Sequence, residues 1–116
     1  MQLWNIWKKL RKLGVNIALD DFGTGYSNLI NIGNLRPNIV KVDRSFTIKA
    51  LNNAYEREIM MHVIRMVHSI GLNLVVEGIE TQEELIKITA MNPDYIQGYY
   101  YSKPCPAQDF SDKYLV

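Results

Sequence analysis

Four short apolar segments, VNIALDD (15–21), NIVKVD (38–43), LNLVVE (72–77) and DYIQGYYY (94–101), alternate with stretches long enough to hold helices. This alternation restricts the fold more than any other feature. Strands separated by a helix run parallel and are joined by right-handed crossovers, whereas antiparallel neighbours need only a tight turn. The expected class is therefore α/β, with about four parallel βα units. No linker, low-complexity tract or composition shift interrupts the chain, so residues 1–116 are read as one unit without an internal boundary.

The intervening helices follow from apolar spacing and end signals. Leu3, Trp4, Ile6, Trp7, Leu10 and Leu13 recur at helical intervals, opposite Lys8, Lys9, Arg11 and Lys12, with Gly14 as the stop. That pattern predicts a first helix packed on the sheet with its lysines in water. Another helix passes through Ser27 to Ile32. Beyond the connection RSFTIKALNNA, a long helix with the stripe Ile59, Val63, Val67 and Ile70 is ended by Gly71. Thr81 and Glu84 have the spacing of a capping box for a helix that stops before Pro93, and Gln108 to Leu115 form a last helix.

The four strand-like segments end in polar residues: Asp20 and Asp21, then Asp43, then Glu77, with Gln97 near the end of the last. Alternation places Asn16, Ala18 and Asp20 on one face, Lys41 with Asp43 on the matching face, and Asn73, Val75 and Glu77 likewise. In parallel α/β folds, ligands bind at the carboxyl ends of strands, where side chains from several strands meet. Carboxylates from Asp20, Asp21 and Glu77 would repel one another there unless a cation lies among them. An all-oxygen donor set suits Mg²⁺, Mn²⁺ or Ca²⁺.

Each feature also has a bland explanation. Paired acids at a strand end serve as a turn and helix cap. An ion pair with Asp43 accounts for Lys41 in an apolar strand, because a buried ammonium is costly alone. Read as a Schiff-base amine, Lys41 suffers from its acidic surroundings, which keep it protonated. His62 and His68 are six residues apart and miss the i, i+4 spacing of a helical metal pair, so they are read as structural. Met60, Met61 and Met66 read as core filler. FGTG has two glycines for a tight turn but lacks the spacing of a dinucleotide-binding loop.

Composition narrows the function further. Thirteen Lys and Arg against 12 Asp and Glu give a net charge of +1, which excludes a strongly basic nucleic-acid binder. Cys105 is the single cysteine, so no internal disulfide forms. No apolar run approaches the roughly 20 residues of a membrane span, and the amino terminus is too charged for a signal peptide. A cytoplasmic location is expected.

ALDDFGTGYSNL, IVKVDRSF, VVEGIET and IQGYYYSKP, in this order and at these separations, resemble the second half of the EAL domain, a family of bacterial phosphodiesterases that hydrolyse cyclic di-GMP to linear pGpG. The resemblance implies a modified TIM-type barrel, of which this chain is the C-terminal half, and two catalytic divalent cations, Mg²⁺ or Mn²⁺. It further implies that Asp20 bridges the two metals and that Asp21 ligates the second. Glu77 resembles the glutamate acting as general base or positioning water, and Lys41 the lysine that orients the nucleophile or stabilises developing charge. Asp43 would orient Lys41, Glu80 would support the site from the following loop, and Gln97 would contact the phosphate or its water. FGTGYS resembles the loop that couples the family's metal site to dimerisation.

The family's Glu-Ala-Leu signature, its metal-binding asparagine and a further glutamate have no counterpart in these 116 residues, and Val76 stands where the family usually has alanine. Four units in 116 residues are about half of the ~250 residues of an eight-unit barrel. The expectation is a chain inactive or nearly so alone, with two open strand edges that pair with a second copy as a homodimer or with a complementary half. The alternative is a degenerate, non-catalytic interaction or dimerisation module in cyclic di-GMP signalling.

Overall fold

The computed structural model describes residues 2–23 and 28–115. Helix α1 (Gln2–Lys12) precedes β1 (Ala18–Phe22), followed by α2 (Asn28–Leu35), β2 (Ile39–Val42), α3 (Arg44–Asn52) and α4 (Ala54–Ser69). Then come β3 (Asn73–Glu77), α5 (Gln82–Thr89), β4 (Tyr95–Gln97) and α6 (Ala107–Tyr114). The strands form one sheet in the order β1-β2-β3-β4, and each neighbouring pair is parallel. The α/β class and the run of parallel units agree with expectation; this is part of a TIM-type barrel.

The core lies between the middle strands and the helices. Val40 and Val42 of β2 and Leu74 and Val76 of β3 are fully buried on one face, against Ala50 of α3 and Met60, Ile64 and Val67 of α4. Alternation leaves Lys41, Val75 and Glu77 on the other face, only partly covered.

Several elements depart from the sequence reading. RSFTIKALN is itself a helix, started by Asp43, whose Oδ2 accepts from the Ser45 N–H at 2.8 Å and the Ser45 hydroxyl at 2.6 Å. Its buried face of Phe46, Thr47, Ala50 and Leu51 is interrupted by polar neighbours, which hides it from a search for long stripes. Asn53, in extended conformation, ends α3 and caps α4 by accepting from the Tyr55 N–H at 2.8 Å. The buried line of α4 runs through Met60, Ile64 and Val67, with Val63 packed against it, so the expected stripe holds at Val63 and Val67 but not at Ile59 and Ile70, which are exposed.

The capping box of Thr81 and Glu84 is formed as expected. β4 is shorter than anticipated, because the chain leaves the sheet at Gly98, where an added Cβ would strike the backbone of Ile79. The first helix also differs among its described side chains: Ile6 is 54% exposed, and Leu13, just after the helix, is 78% exposed, so these expected core positions are uncovered. Trp7 ties it down by donating from Nε1 to the Leu35 carbonyl at 2.6 Å.

Candidate metal centre

The site begins with an irregularity in β1. Leu19 is in register with Val40 and Phe22 with Val42, so Asp20 and Asp21 together face the single residue Lys41. This is a β-bulge, and Asp21 sits at φ +56° to make it. Strict alternation would send Asp21 to the packed face. The extra residue instead returns Phe22 to the core, where it is 5% exposed, and leaves both carboxylates out of it. The Asp21 N–H donates to Oδ1 of Asp20 at 2.8 Å, which fixes the first carboxylate.

Glu77 arrives from the end of β3. One carboxylate oxygen from each of Asp20, Asp21 and Glu77 can be chosen so that all three lie within 4.8 Å of one another. Three acidic oxygens at that separation fit a hard divalent cation in donor chemistry. Lys41, on the strand between, places Nζ 3.0 Å from Oε1 of Glu77. The hydrogen bond to Glu77 and the charges of Glu77, Asp20 and Asp21 raise its pKa above 10.5, against burial that lowers it. Lys41 is therefore a fixed ammonium, not a nucleophilic amine.

The other expected participants differ in their contacts. Asp43 does not pair with Lys41; its carboxylate caps α3 and also meets the side chain of Asp21, which sets it beside the three carboxylates. The Ser45 hydroxyl and N–H hold its carboxyl below the ordinary 3.8. Glu80 accepts from Arg44, with Nη2 to Oε2 at 3.1 Å, and so is linked to the start of α3 rather than to the three carboxylates. Gln97 lies beside Glu77 in register, and its carbonyl accepts from the N–H groups of Gly78 and Ile79 at 2.9 and 3.3 Å. Neither histidine joins the cluster: His62 contacts its own helix, and His68 binds Asp94 at 2.6 Å.

Two supporting residues escaped the sequence reading. Thr47 is fully buried, and its hydroxyl donates to the Glu77 carbonyl at 3.0 Å, anchoring the residue that carries the third carboxylate. Arg44 donates through Nη1 to the Gly78 carbonyl and spans to Glu80, bracing the loop after β3. Gly78 is at φ +87°, and a Cβ there would strike the Arg44 side chain. A cation directly after a capping aspartate was the available signal for Arg44. Gly23, the first glycine of FGTG, is at φ +98° against the Phe46 ring; the rest of FGTGYS, Thr24 to Ser27, lies outside the described residues.

Comparison with known proteins settles the family. The sequence profile of the EAL domain matches residues 1–104. This chain belongs to the EAL domain family. It is 38% identical over 99 residues to the cyclic di-GMP phosphodiesterase NbdA of Pseudomonas aeruginosa, covering 85% of this chain and 13% of that protein. A crystal structure of an EAL domain protein from Listeria monocytogenes superposes with a TM-score of 0.86 at 37% identity, over 92% of this chain and 43% of the other. BlrP1 of Klebsiella pneumoniae, solved as a complex with manganese and cyclic di-GMP, gives 0.82 at 33% identity over 90% of this chain and 26% of its own. The chain is thus homologous to cyclic di-GMP phosphodiesterases but spans less than half the length of each of these proteins. Among the described residues, no helix is long and apolar enough to cross a membrane.

Proposed function

We propose that this chain is the C-terminal half of a cyclic di-GMP phosphodiesterase site, carrying part of its metal shell. The convergence of Asp20, Asp21 and Glu77 from two strands, with Lys41 between them, carries this reading. Asp20 and Asp21 would hold Mg²⁺ or Mn²⁺. A divalent cation bound there polarises a phosphoryl oxygen and lowers the pKa of a coordinated water.

The chain's own residues divide the remaining work. Glu77 is the proton acceptor or water-orienting group, and Lys41, 3.0 Å from it, holds it in place while offering a positive charge to the phosphate. Gln97 supplies an amide next to Glu77. Glu80 acts indirectly, by bracing the loop after β3, while Asp43 fixes the start of α3 and meets Asp21 at the edge of the site. The side of the sheet bearing these groups is open, and Asp20 and Asp21 are exposed, so preorganisation is incomplete. The chain alone is therefore expected to be inactive or nearly so.

The test pairs binding with turnover. Loss of the free Mn²⁺ paramagnetic signal on adding the chain should report weak binding that Asp20→Asn abolishes. Cyclic di-GMP should remain intact with the chain alone, and hydrolysis should appear when the first half of an EAL domain is supplied, except with Glu77→Gln. Turnover by the chain alone would overturn the inactivity. Neither Mn²⁺ binding nor complementation would leave the reading as a non-catalytic interaction module.

A further inference from the structure

The amino end of α3 reaches both walls of the candidate metal centre. Asp43, the residue before this helix, is pinned through its backbone and its side chain. Its N–H donates to the Phe22 carbonyl at 3.3 Å, just past the bulge, and its Oδ2 accepts from the Ser45 N–H at 2.8 Å and the Ser45 hydroxyl at 2.6 Å. The carboxylate held in this way meets the side chain of Asp21. At the other wall, the Thr47 hydroxyl lies 3.2 Å from the Asp43 carbonyl and 3.0 Å from the Glu77 carbonyl. One turn of helix thus connects the aspartate side of the site to the glutamate side.

The Ser45 hydroxyl is not needed to satisfy a group stranded in the core, because Ser45 is exposed. Its short bond to an ionised oxygen is nevertheless of the strong, directional kind. The backbone N–H alone would leave the Asp43 carboxylate one bond to pivot about, and the hydroxyl on the same oxygen restricts that pivot. Two carboxylates in contact repel each other, and the contact persists only where one of them is held. We infer that Ser45 is a positioning residue for the metal centre: its hydroxyl fixes the Asp43 carboxylate against Asp21, and so keeps the Asp21 carboxylate turned toward Asp20 and Glu77. A fixed anion behind Asp21 also deepens the negative field that a divalent cation meets there. The inference rests on reading Asp20 and Asp21 as the residues that hold Mg²⁺ or Mn²⁺.

The test is Mn²⁺ titration of the full chain, read from the paramagnetic signal of the free ion, with urea unfolding measured on the same proteins. Ser45→Ala should raise the Mn²⁺ dissociation constant roughly tenfold. Ser45→Thr, which restores the hydroxyl, should return it to the wild-type value, whereas Ser45→Val, which has the shape of threonine without the hydroxyl, should bind as weakly as Ser45→Ala. Asn53→Ala removes the side chain that caps α4 and should lower stability while leaving Mn²⁺ affinity unchanged. A Ser45→Ala chain that binds Mn²⁺ as well as the wild type, or more tightly, would overturn the inference and leave the metal reading standing. An Asn53→Ala chain as weak in binding as Ser45→Ala would overturn it too, by showing that helix stability alone sets the affinity. Absence of Mn²⁺ binding by the wild-type chain would overturn the metal reading, and the inference with it. If Ser45→Ala fails to fold, the comparison of Ser45→Thr with Ser45→Val decides on the same terms.

Discussion

In the middle of the sheet, β2 and β3 lie under α3 and α4, and Val40, Val42, Leu74 and Val76 have no exposure to solvent. At the flanks, Leu13 after α1 is 78% exposed and Phe110 of α6 is 47% exposed. The same chain thus contains a finished core and two unfinished margins. The contrast assigns different roles to apolar residues of similar size: central ones hold the monomer together, and marginal ones are available to something outside it. Changes in the centre should therefore cost stability at any protein concentration.

The largest effect is expected from Leu74→Ala. This side chain is fully buried in β3, and its removal should cost about 2–5 kcal/mol in urea unfolding, through lost transfer energy and the cavity left behind. Thr47→Val should cost less, about 1–3 kcal/mol, because the shape is kept while the Glu77 carbonyl loses its donor. If Thr47 anchors the third carboxylate, that variant should also bind Mn²⁺ more weakly than Leu74→Ala does under conditions where both are folded. Equal binding by the two variants would remove Thr47 from the account of the site.

A third prediction concerns the pole opposite the carboxylates. Asp94 precedes β4 and accepts from the Leu74 N–H at 2.7 Å and from His68 at 2.6 Å, tying the end of α4 to the starts of two strands. Burial pushes its carboxyl up, but the Leu74 N–H and His68 outweigh that, and the net shift is below the ordinary 3.8. A lowered native pKa means that the unfolded chain binds the proton more readily. The stabilisation is therefore complete above about 3.8 and is lost as pH falls through the lower native value. Unfolding midpoints measured between pH 6 and pH 2 should drop in that acidic window, and Asp94→Asn should flatten this part of the profile. An unchanged profile in the variant would remove Asp94 as its source.

How much of this was legible beforehand follows the same division. The parallel order, the capping box and the polar face of the central strands were all readable, because period-2 alternation and Thr81-x-x-Glu84 are local signals. Asp21 was readable as an acid at a strand end but not in its orientation, since a bulge breaks the alternation from which orientation is inferred. The helix α3 was missed because its short buried face carries Thr47, and the stripe on α4 was right at Val63 and Val67 but wrong at its ends, because exposed Ile59 and Ile70 resemble core residues. Lys41 was given the wrong partner: Asp43 is nearer in sequence, but Glu77 lies across the strand pair, and only the sheet brings it close. The first helix had a convincing apolar stripe, yet a stripe states that a face needs cover without saying what provides it.

That last distinction gives the smallest predicted effect. Leu13→Ser removes an exposed apolar side chain at the β1 flank, and the intrinsic stability of the monomer should change by no more than about 0.5 kcal/mol. Yet the unfolding midpoint of the wild-type chain should rise when the first half of an EAL domain is added, since association stabilises whatever state it binds. In Leu13→Ser that rise should be smaller while the midpoint of the chain alone is preserved. Leu74→Ala should do the reverse, lowering the midpoint with or without the added half. If Leu13→Ser instead lowers the midpoint of the chain alone as much as a core substitution, the flank is part of the monomer's own core. The contrast between centre and margin would then dissolve, because exposure would no longer separate residues that fold the chain from residues that join it to another.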